Sequence, residues 1–131
     1  MLAQGFRLKA CHASPASLVY VSSSAALKTA PGNVVYAASK GGIISAVKGL
    51  GVELVRDGVR VNAVAPGPVD TAMLDRFTGN PDRKAGLVAG VPLKRTGRPE
   101  EIADAIVFAT SDKASFITGQ IIAVNGGKTA A

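Results

Sequence analysis

Ser17-Leu-Val-Tyr-Val-Ser22 is a short run of apolar and β-branched residues, the composition of a buried strand. Val59-Arg-Val-Asn-Ala-Val-Ala65 is a second such run, and Pro66-Gly67-Pro68 closes it. Between them, from about Val34 to Asp57, the chain reads as one long helix. Ile43, Val47, Leu50 and Leu54 recur at steps of four, three and four, which draws an apolar stripe along one face. Lys48 and Arg56 fall on the other side. Gly58 stops the helix, as glycine does at a C-terminal cap. Strand, long helix, strand is the unit of a parallel sheet, and its crossover is expected to be right-handed.

Further along, Gln120-Ile-Ile-Ala-Val124 predicts a third strand and Asn125-Gly126-Gly127 the end of the ordered chain. Pro99-Glu100-Glu101 predicts a helix start, because proline fits the first turn and carboxylates suit the positive end of the helix dipole. Residues 71–95 have mixed character. Gly79-Asn80-Pro81 interrupts them, so one or two short helices are expected there. The fold class that follows is α/β: a partial doubly wound parallel sheet of three strands in one domain, residues 1–131, with no internal repeat and no linker. The long helix carries Gly41, Gly42, Gly49 and Gly51, each costing about 1 kcal/mol relative to alanine. Such a helix needs tertiary packing. Its small residues suit close approach of the sheet on the bland reading, or of a second subunit on the sharper one.

Composition excludes several classes. With 131 residues, 47% of them hydrophobic and 18% charged, the chain is globular rather than disordered. No apolar run reaches the ~18 residues of a membrane span, and the charged N-terminal stretch makes a poor signal peptide. A cytoplasmic location is expected. Cys11 and His12 are the only residues of their kinds. They exclude a disulfide within the chain and leave a soft-ligand metal site short of donors. The net charge of +6 would suit nucleic acid, but the cations are scattered and aromatics make up only 5%. Stacking platforms are therefore lacking, and no nucleic-acid partner is expected.

Tyr36 and Lys40 stand four apart at the start of the long helix and share a face. A free phenol, with a pKa near 10, is a poor acid or base at neutral pH. An ammonium within about 4–6 Å favours the phenolate and tunes the group for proton transfer to a substrate oxygen. Ser23 lies at the C-terminal end of the first strand, the end at which open α/β sheets bind ligands. Its hydroxyl would reach the same oxygen. An isolated serine run is more often a polar turn, and only the company of Tyr36 and Lys40 favours chemistry.

The residues together resemble the short-chain dehydrogenase/reductase family. The resemblance rests on Ser23, Tyr36-Ala-Ala-Ser-Lys40, Gly58-Val-Arg-Val-Asn62 and Pro66-Gly67-Pro68-Val69-Asp70-Thr71. It continues with Gly97-Arg-Pro-Glu-Glu-Ile102, Thr118-Gly119-Gln120 and Asn125-Gly126-Gly127. Each motif is weak alone, and the unbroken order over about residues 17–127 is strong. The match is most like bacterial 3-oxoacyl-carrier-protein reductases and their relatives. It implies a Rossmann-like fold, NAD or NADP as cofactor and a small carbonyl or secondary-alcohol substrate; separately, the glycine-bearing helix 34–57 is expected to hold a homo-oligomer. The resemblance further implies Tyr36 as acid/base, Lys40 as the cation that lowers its pKa and binds the nicotinamide ribose, and Ser23 as the group that orients the substrate oxygen. Pro66 and Gly67, the Val69 backbone and the Thr71 hydroxyl would hold the nicotinamide carboxamide. Residues 71–95, with Met73, Leu74 and Phe77, would cover the substrate as a lid, although apolar residues there equally suit ordinary packing.

The chain also departs from that family. It has no G-x-G-x-x-G fingerprint and no early βαβ unit to carry one. Leu2-Ala-Gln-Gly-Phe6 resembles the helix that follows the family's catalytic Asn, which would place that Asn at or before Met1. Phe6 to Ser17 is short for the family and is cut by Pro15. A shortened chain, largely without the nucleotide-binding half, is expected. Its first strand would present an open parallel edge that invites association, and its isolated affinity for nicotinamide cofactor would be low. The alternative to an enzyme is a catalytically silent remnant that serves as a dimerisation or interaction module.

Overall fold

The computed structural model describes residues 16–130. The Leu2–Phe6 resemblance, Cys11, His12 and Pro15 lie outside the described residues. Three strands, β1 (Ala16–Val21), β2 (Val59–Pro66) and β3 (Ile121–Val124), form one parallel sheet in the order β1-β2-β3. Four helices lie between them: α1 (Val34–Glu53) after β1, then α2 (Ala72–Thr78), α3 (Pro81–Ala89) and α4 (Pro99–Thr110) between β2 and β3. Ala16 stands opposite Val59 and Val21 opposite Val64, while Ala63 stands opposite Ile121 and Pro66 opposite Val124. All three strands therefore deliver their C-terminal ends to one rim.

The apolar stripe on α1 lands where its spacing places it. Val47 and Leu54 are buried with Val59, Val61 and Ala63 of β2, and Ile43 and Leu50 pack against the same cluster. Each fully buried valine or leucine contributes about 1.5–3 kcal/mol, and so this contact holds the crossover on the sheet. β2 is covered on both faces: Val61, Asn62, Ala63, Val64 and Ala65 are all 0% exposed. Such a central strand reads as a nearly continuous apolar run. Its one buried polar residue is satisfied, with Asn62 Nδ2 donating to the Ile117 carbonyl at 2.8 Å and Oδ1 accepting from Gln120 N–H at 3.0 Å. Arg60, on the same strand, donates to the carbonyls of Ala109 (2.9 Å), Thr110 (3.4 Å) and Ser111 (3.1 Å), and to Ile117 (3.2 Å). Its charge thus closes the negative end of α4.

The long helix is shorter than its sequence suggests. The α-helical part ends at Glu53 and a 3-10 turn covers Val55–Asp57. The helix assigned to subunit contact therefore runs over 34–53 rather than 34–57. The physical reason is the return to β2: the Leu54 carbonyl accepts from both Asp57 N–H (3.0 Å) and Val59 N–H (3.1 Å), which tightens the last turn. Gly58 then reverses the chain at φ +72°. Both short helices appear in the 71–95 stretch, and Gly79 and Asn80 part them. β1 begins at Ala16, β2 extends to Pro66 and β3 starts at Ile121, each within one residue of its predicted bounds.

The four helix glycines divide into two kinds. A Cβ on Gly51 would stand 2.7 Å from the Gly119 backbone, so α1 touches the turn before β3 at that point. Thr118 seals the contact, donating from Oγ1 to the Gly51 carbonyl at 3.3 Å and accepting from Val61 N–H at 3.1 Å. Gly41, Gly42 and Gly49 would meet nothing within 4 Å among the described residues. Gly51→Ala is therefore expected to destabilise the fold by about 1–3 kcal/mol through overpacking. Gly49→Ala should stabilise it by up to about 1 kcal/mol through helix propensity. Urea unfolding of both variants checks the opposite signs.

Candidate active site at the strand rim

The first half of the site lies where β1 hands over to α1. Ser23 follows the strand and caps a 3-10 turn, Ser24–Ala26, its Oγ accepting from Ala25 N–H at 3.2 Å. That bond uses a lone pair and not the hydroxyl proton. The turn packs against α1. Two reciprocal bonds then join strand and helix. Buried Ser22 donates from Oγ to the Lys40 carbonyl at 2.9 Å, and Lys40 Nζ donates to the Val21 carbonyl at 3.1 Å. Lys40 is thus held by its backbone and by its side chain to neighbouring strand residues. Its ammonium stands 5.9 Å from the centre of the Tyr36 ring, within cation–π range. The Tyr36 side chain is 44% exposed, open to a ligand on the solvent side.

The second half lies where β2 ends. Gly67 N–H donates to the Val124 carbonyl at 3.0 Å. A Cβ there would stand 2.7 Å from Asn125 Cα, so only glycine lets the ends of β2 and β3 approach this closely. Val69 forms a parallel bridge with Gly97. Gly97 N–H donates to the Pro68 carbonyl and Asp70 N–H to the Gly97 carbonyl, both at 2.9 Å. In a parallel bridge these bonds come from the neighbours of the bridged residue. The N–H and C=O of Val69 therefore point away from Gly97. Thr71 caps α2, its Oγ1 accepting from Leu74 N–H at 3.3 Å and donating to the Val69 carbonyl at 3.3 Å.

The rim thus gathers Ser23, Tyr36 and Lys40 on one side and Pro66, Gly67, Val69 and Thr71 on the other, at the ends of paired strands. An open hollow of about 680 Å³ borders Tyr36, lined by Gly32, Asn33, Val34, Val35 and Ser39. Ser23 and Lys40 do not line it. A smaller cavity of about 110 Å³ lies behind the loop, bounded by Pro68, Arg95, Gly97, Glu101 and Asn125 among others. The three residues expected to form a lid separate. Met73 is 68% and Phe77 62% exposed, whereas Leu74 is buried, so Leu74 packs the base of α2.

Several residues that hold this site carry no signal in the sequence. Ser22 is set apart from its serine neighbours only by its bond to the Lys40 carbonyl, since Ser24 is buried as well. Arg95 and Glu101 form a two-pronged ion pair over a spacing of no helical or strand period. Lys84 Nζ, on α3, sits 2.8 Å from both Asp70 Oδ1 and Asp75 Oδ1. It ties α3 to α2 and to the loop after β2, and those hydrogen bonds, Asp70 first, raise its pKa above the ordinary lysine value.

Comparison with known proteins gives this geometry a context. The family model described as enoyl-(acyl carrier protein) reductase matches residues 3–129. The 3-oxoacyl-[acyl-carrier-protein] reductase FabG of Chlamydia trachomatis is 44% identical over 111 residues, 85% of this chain and 44% of that protein. A solved structure titled short chain dehydrogenase/reductase family protein superposes with a TM-score of 0.83 at 39% identity, over 98% of this chain and 50% of its own. A 4-hydroxyisoleucine dehydrogenase complexed with NADH superposes with a TM-score of 0.90 at 27% identity, over 99% and 54%. The chain spans less than half the length of the curated relatives it matches, for example 38% and 44%.

The Lys84 ion pairs are partly exposed, with side-chain exposures of 32% for Lys84 and 61% for each aspartate. Contacts of this kind are weak and salt-sensitive. Lys84→Met is expected to speed tryptic cleavage at Arg76 and Arg83 severalfold. Molar salt should do the same to the unaltered chain, with cleavage followed by mass spectrometry.

Proposed function

Because the chain belongs to the short-chain dehydrogenase/reductase family, we propose that it carries the catalytic half of an NAD- or NADP-dependent oxidoreductase. That enzyme would interconvert a small carbonyl compound and its secondary alcohol. The observation that carries this reading is the Tyr36–Lys40 pair, an ammonium 5.9 Å from a half-exposed phenol ring, anchored to the end of β1 beside Ser23. The relatives support the substrate class, since one is a 3-oxoacyl reductase and another a hydroxy-amino-acid dehydrogenase.

The residues present fit one end of a nicotinamide dinucleotide. Val69 turns its N–H and C=O away from Gly97, and a carboxamide, with both a donor and an acceptor, complements that pair. The Thr71 hydroxyl is held only by bonds of 3.3 Å, long enough to be exchanged for a ligand. Pro66 and Gly67 keep the loop at the strand ends, and Lys40 would bond the ribose. When bound, the dinucleotide supplies or accepts the hydride at the substrate carbon. The rest belongs to this chain. Ser23 donates its hydroxyl proton to the substrate oxygen and orients it. In reduction Tyr36 gives its phenolic proton to that oxygen as the C=O bond becomes C–OH; in oxidation it takes the proton back. Lys40 stabilises the phenolate left behind. Met73 and Phe77, exposed on α2, would close over the substrate and exclude water. A cytoplasmic location goes with this reading.

Self-association belongs to the proposal. The outer face of α1 leaves Val34, Val35 and Val52 at 68%, 85% and 78% exposure, with room beside Gly41, Gly42 and Gly49. A homo-oligomer through α1 would cover that face. The same surface favours the second reading, in which the chain is a silent dimerisation module.

Dehydrogenase assay with acetoacetyl thioester, using NADH and NADPH in turn, separates the two readings. Activity that falls by about 10²–10⁴-fold in Tyr36→Phe is expected for the enzyme; activity unchanged by that substitution would remove Tyr36 as acid/base. No turnover by the chain, together with a stable dimer in light scattering, is the outcome for the module.

A further inference from the structure

Gly97-Arg98-Pro99-Glu100-Glu101-Ile102 belongs to the family resemblance, and no catalytic or binding role has been attached to it. Its geometry is specific. Arg95 donates from Nη2 to Glu101 Oε1 at 2.6 Å and from Nη1 to Glu101 Oε2 at 2.8 Å. The same Nη1 donates to the Thr96 carbonyl at 3.0 Å. Glu101 Oε2 also accepts from Arg98 N–H at 2.7 Å. One carboxylate in the first turn of α4 therefore binds the chain on both sides of Gly97, at the Arg95 side chain and at the Arg98 backbone, while the same guanidinium holds the Thr96 carbonyl. Gly97 in turn exchanges two backbone bonds with Pro68 and Asp70.

We propose that Arg95 and Glu101 are positioning residues that clamp Gly97 and so hold the Val69–Thr71 loop in its binding geometry. The inference rests on the reading of that loop as the carboxamide site. Three observations carry it. Two parallel bonds between a guanidinium and a carboxylate fix orientation as well as distance, unlike a single-point ion pair. The clamped residue lies at the centre of the bridge, so a shift of Gly97 would lengthen both of its bonds to the loop. Finally, the cavity of about 110 Å³ between the fork and Pro68 leaves the loop without close packing on that side, so hydrogen bonds rather than side-chain contacts must locate it.

The fork is durable. Hydrogen bonding from Arg95 first, then from Arg98 N–H, holds the Glu101 carboxyl down from its ordinary 4.5 to about 2. A depressed carboxyl pKa stabilises the folded state fully above the unfolded value and ceases to do so as pH falls through the folded one. The clamp is thus complete above about pH 4.5 and lost only towards pH 2.

The roles of helix cap and clamp can be separated. Arg95→Met removes the fork but leaves the Arg98 N–H bond to Glu101. Glu101→Gln weakens both. Amide hydrogen exchange of the full chain, read by NMR at Asp70 and Gly97, is the direct probe, because those two N–H groups are the bridge donors. The clamp predicts exchange at both positions at least about tenfold faster in either variant, with the amides of β2 and α1 unchanged. NADH and NADPH affinities measured on the same samples should weaken in step. Unchanged exchange at Asp70 and Gly97 overturns the clamp whatever the binding does, and so does acceleration spread evenly over the sheet. Local acceleration with nucleotide affinity unaltered keeps the clamp and removes the Val69 loop from the cofactor site.

Discussion

Burial of one helix face on one strand governs this protein. Val47 and Leu54 of α1 sink against Val59, Val61 and Ala63 of β2, and that contact obliges the chain to return parallel to β1. Parallel pairing then brings the C-terminal ends of β1 and β2 to the same rim. Ser23 and the Pro66–Thr71 loop, more than forty residues apart in sequence, become neighbours for that reason. Nothing chemical in either segment draws them together. The hydrophobic effect is non-directional, but a stripe of fixed spacing gives it a direction here.

Around that contact the structure replaces side-chain volume with backbone approach. Gly51 lies against Gly119, and Gly67 against Asn125. Thr118 bonds both α1 and β2, and Asn62 bonds the turn before β3 on two of its atoms. Several motifs that look like a family signature are therefore explained as joints: they let the strand ends and a helix approach at backbone distance. Polar side chains then locate what packing leaves loose. Ser22 and Lys40 fasten the start of α1, which carries Tyr36, to the end of β1. Arg60 closes the end of α4, and the Arg95–Glu101 fork and Lys84 reach the loop after β2 from two other elements.

Two surfaces stay open in this arrangement. Among the described residues β1 pairs with β2 on one side only, and a parallel edge left open in this way invites a further strand. The outer face of α1 exposes valines beside three glycines at which an added Cβ would meet no described residue within 4 Å. Both openings agree with a chain that covers about half of the solved structures it resembles. The described residues leave the proposed catalytic rim bordered by both openings, each of which would accept a further strand or a second copy.

What the sequence determined by itself was the local pattern. The apolar stripe from Ile43 to Leu54, the β-branched strands, the break at Gly79-Asn80-Pro81 and the face shared by Tyr36 and Lys40 all follow from spacings of a few residues, where helix and strand periods apply. The tertiary structure alone decided the rest. It ended α1 at Glu53, because the Leu54 carbonyl must serve the turn into β2 as well as the helix. It buried Leu74 while exposing Met73 and Phe77, and it separated Gly51 from Gly49 by what stands opposite each. It also paired Arg95 with Glu101, and Lys84 with two aspartates, across spacings that belong to no regular element. Long polar side chains meet wherever the backbone happens to bring them, and sequence periodicity holds no record of those meetings.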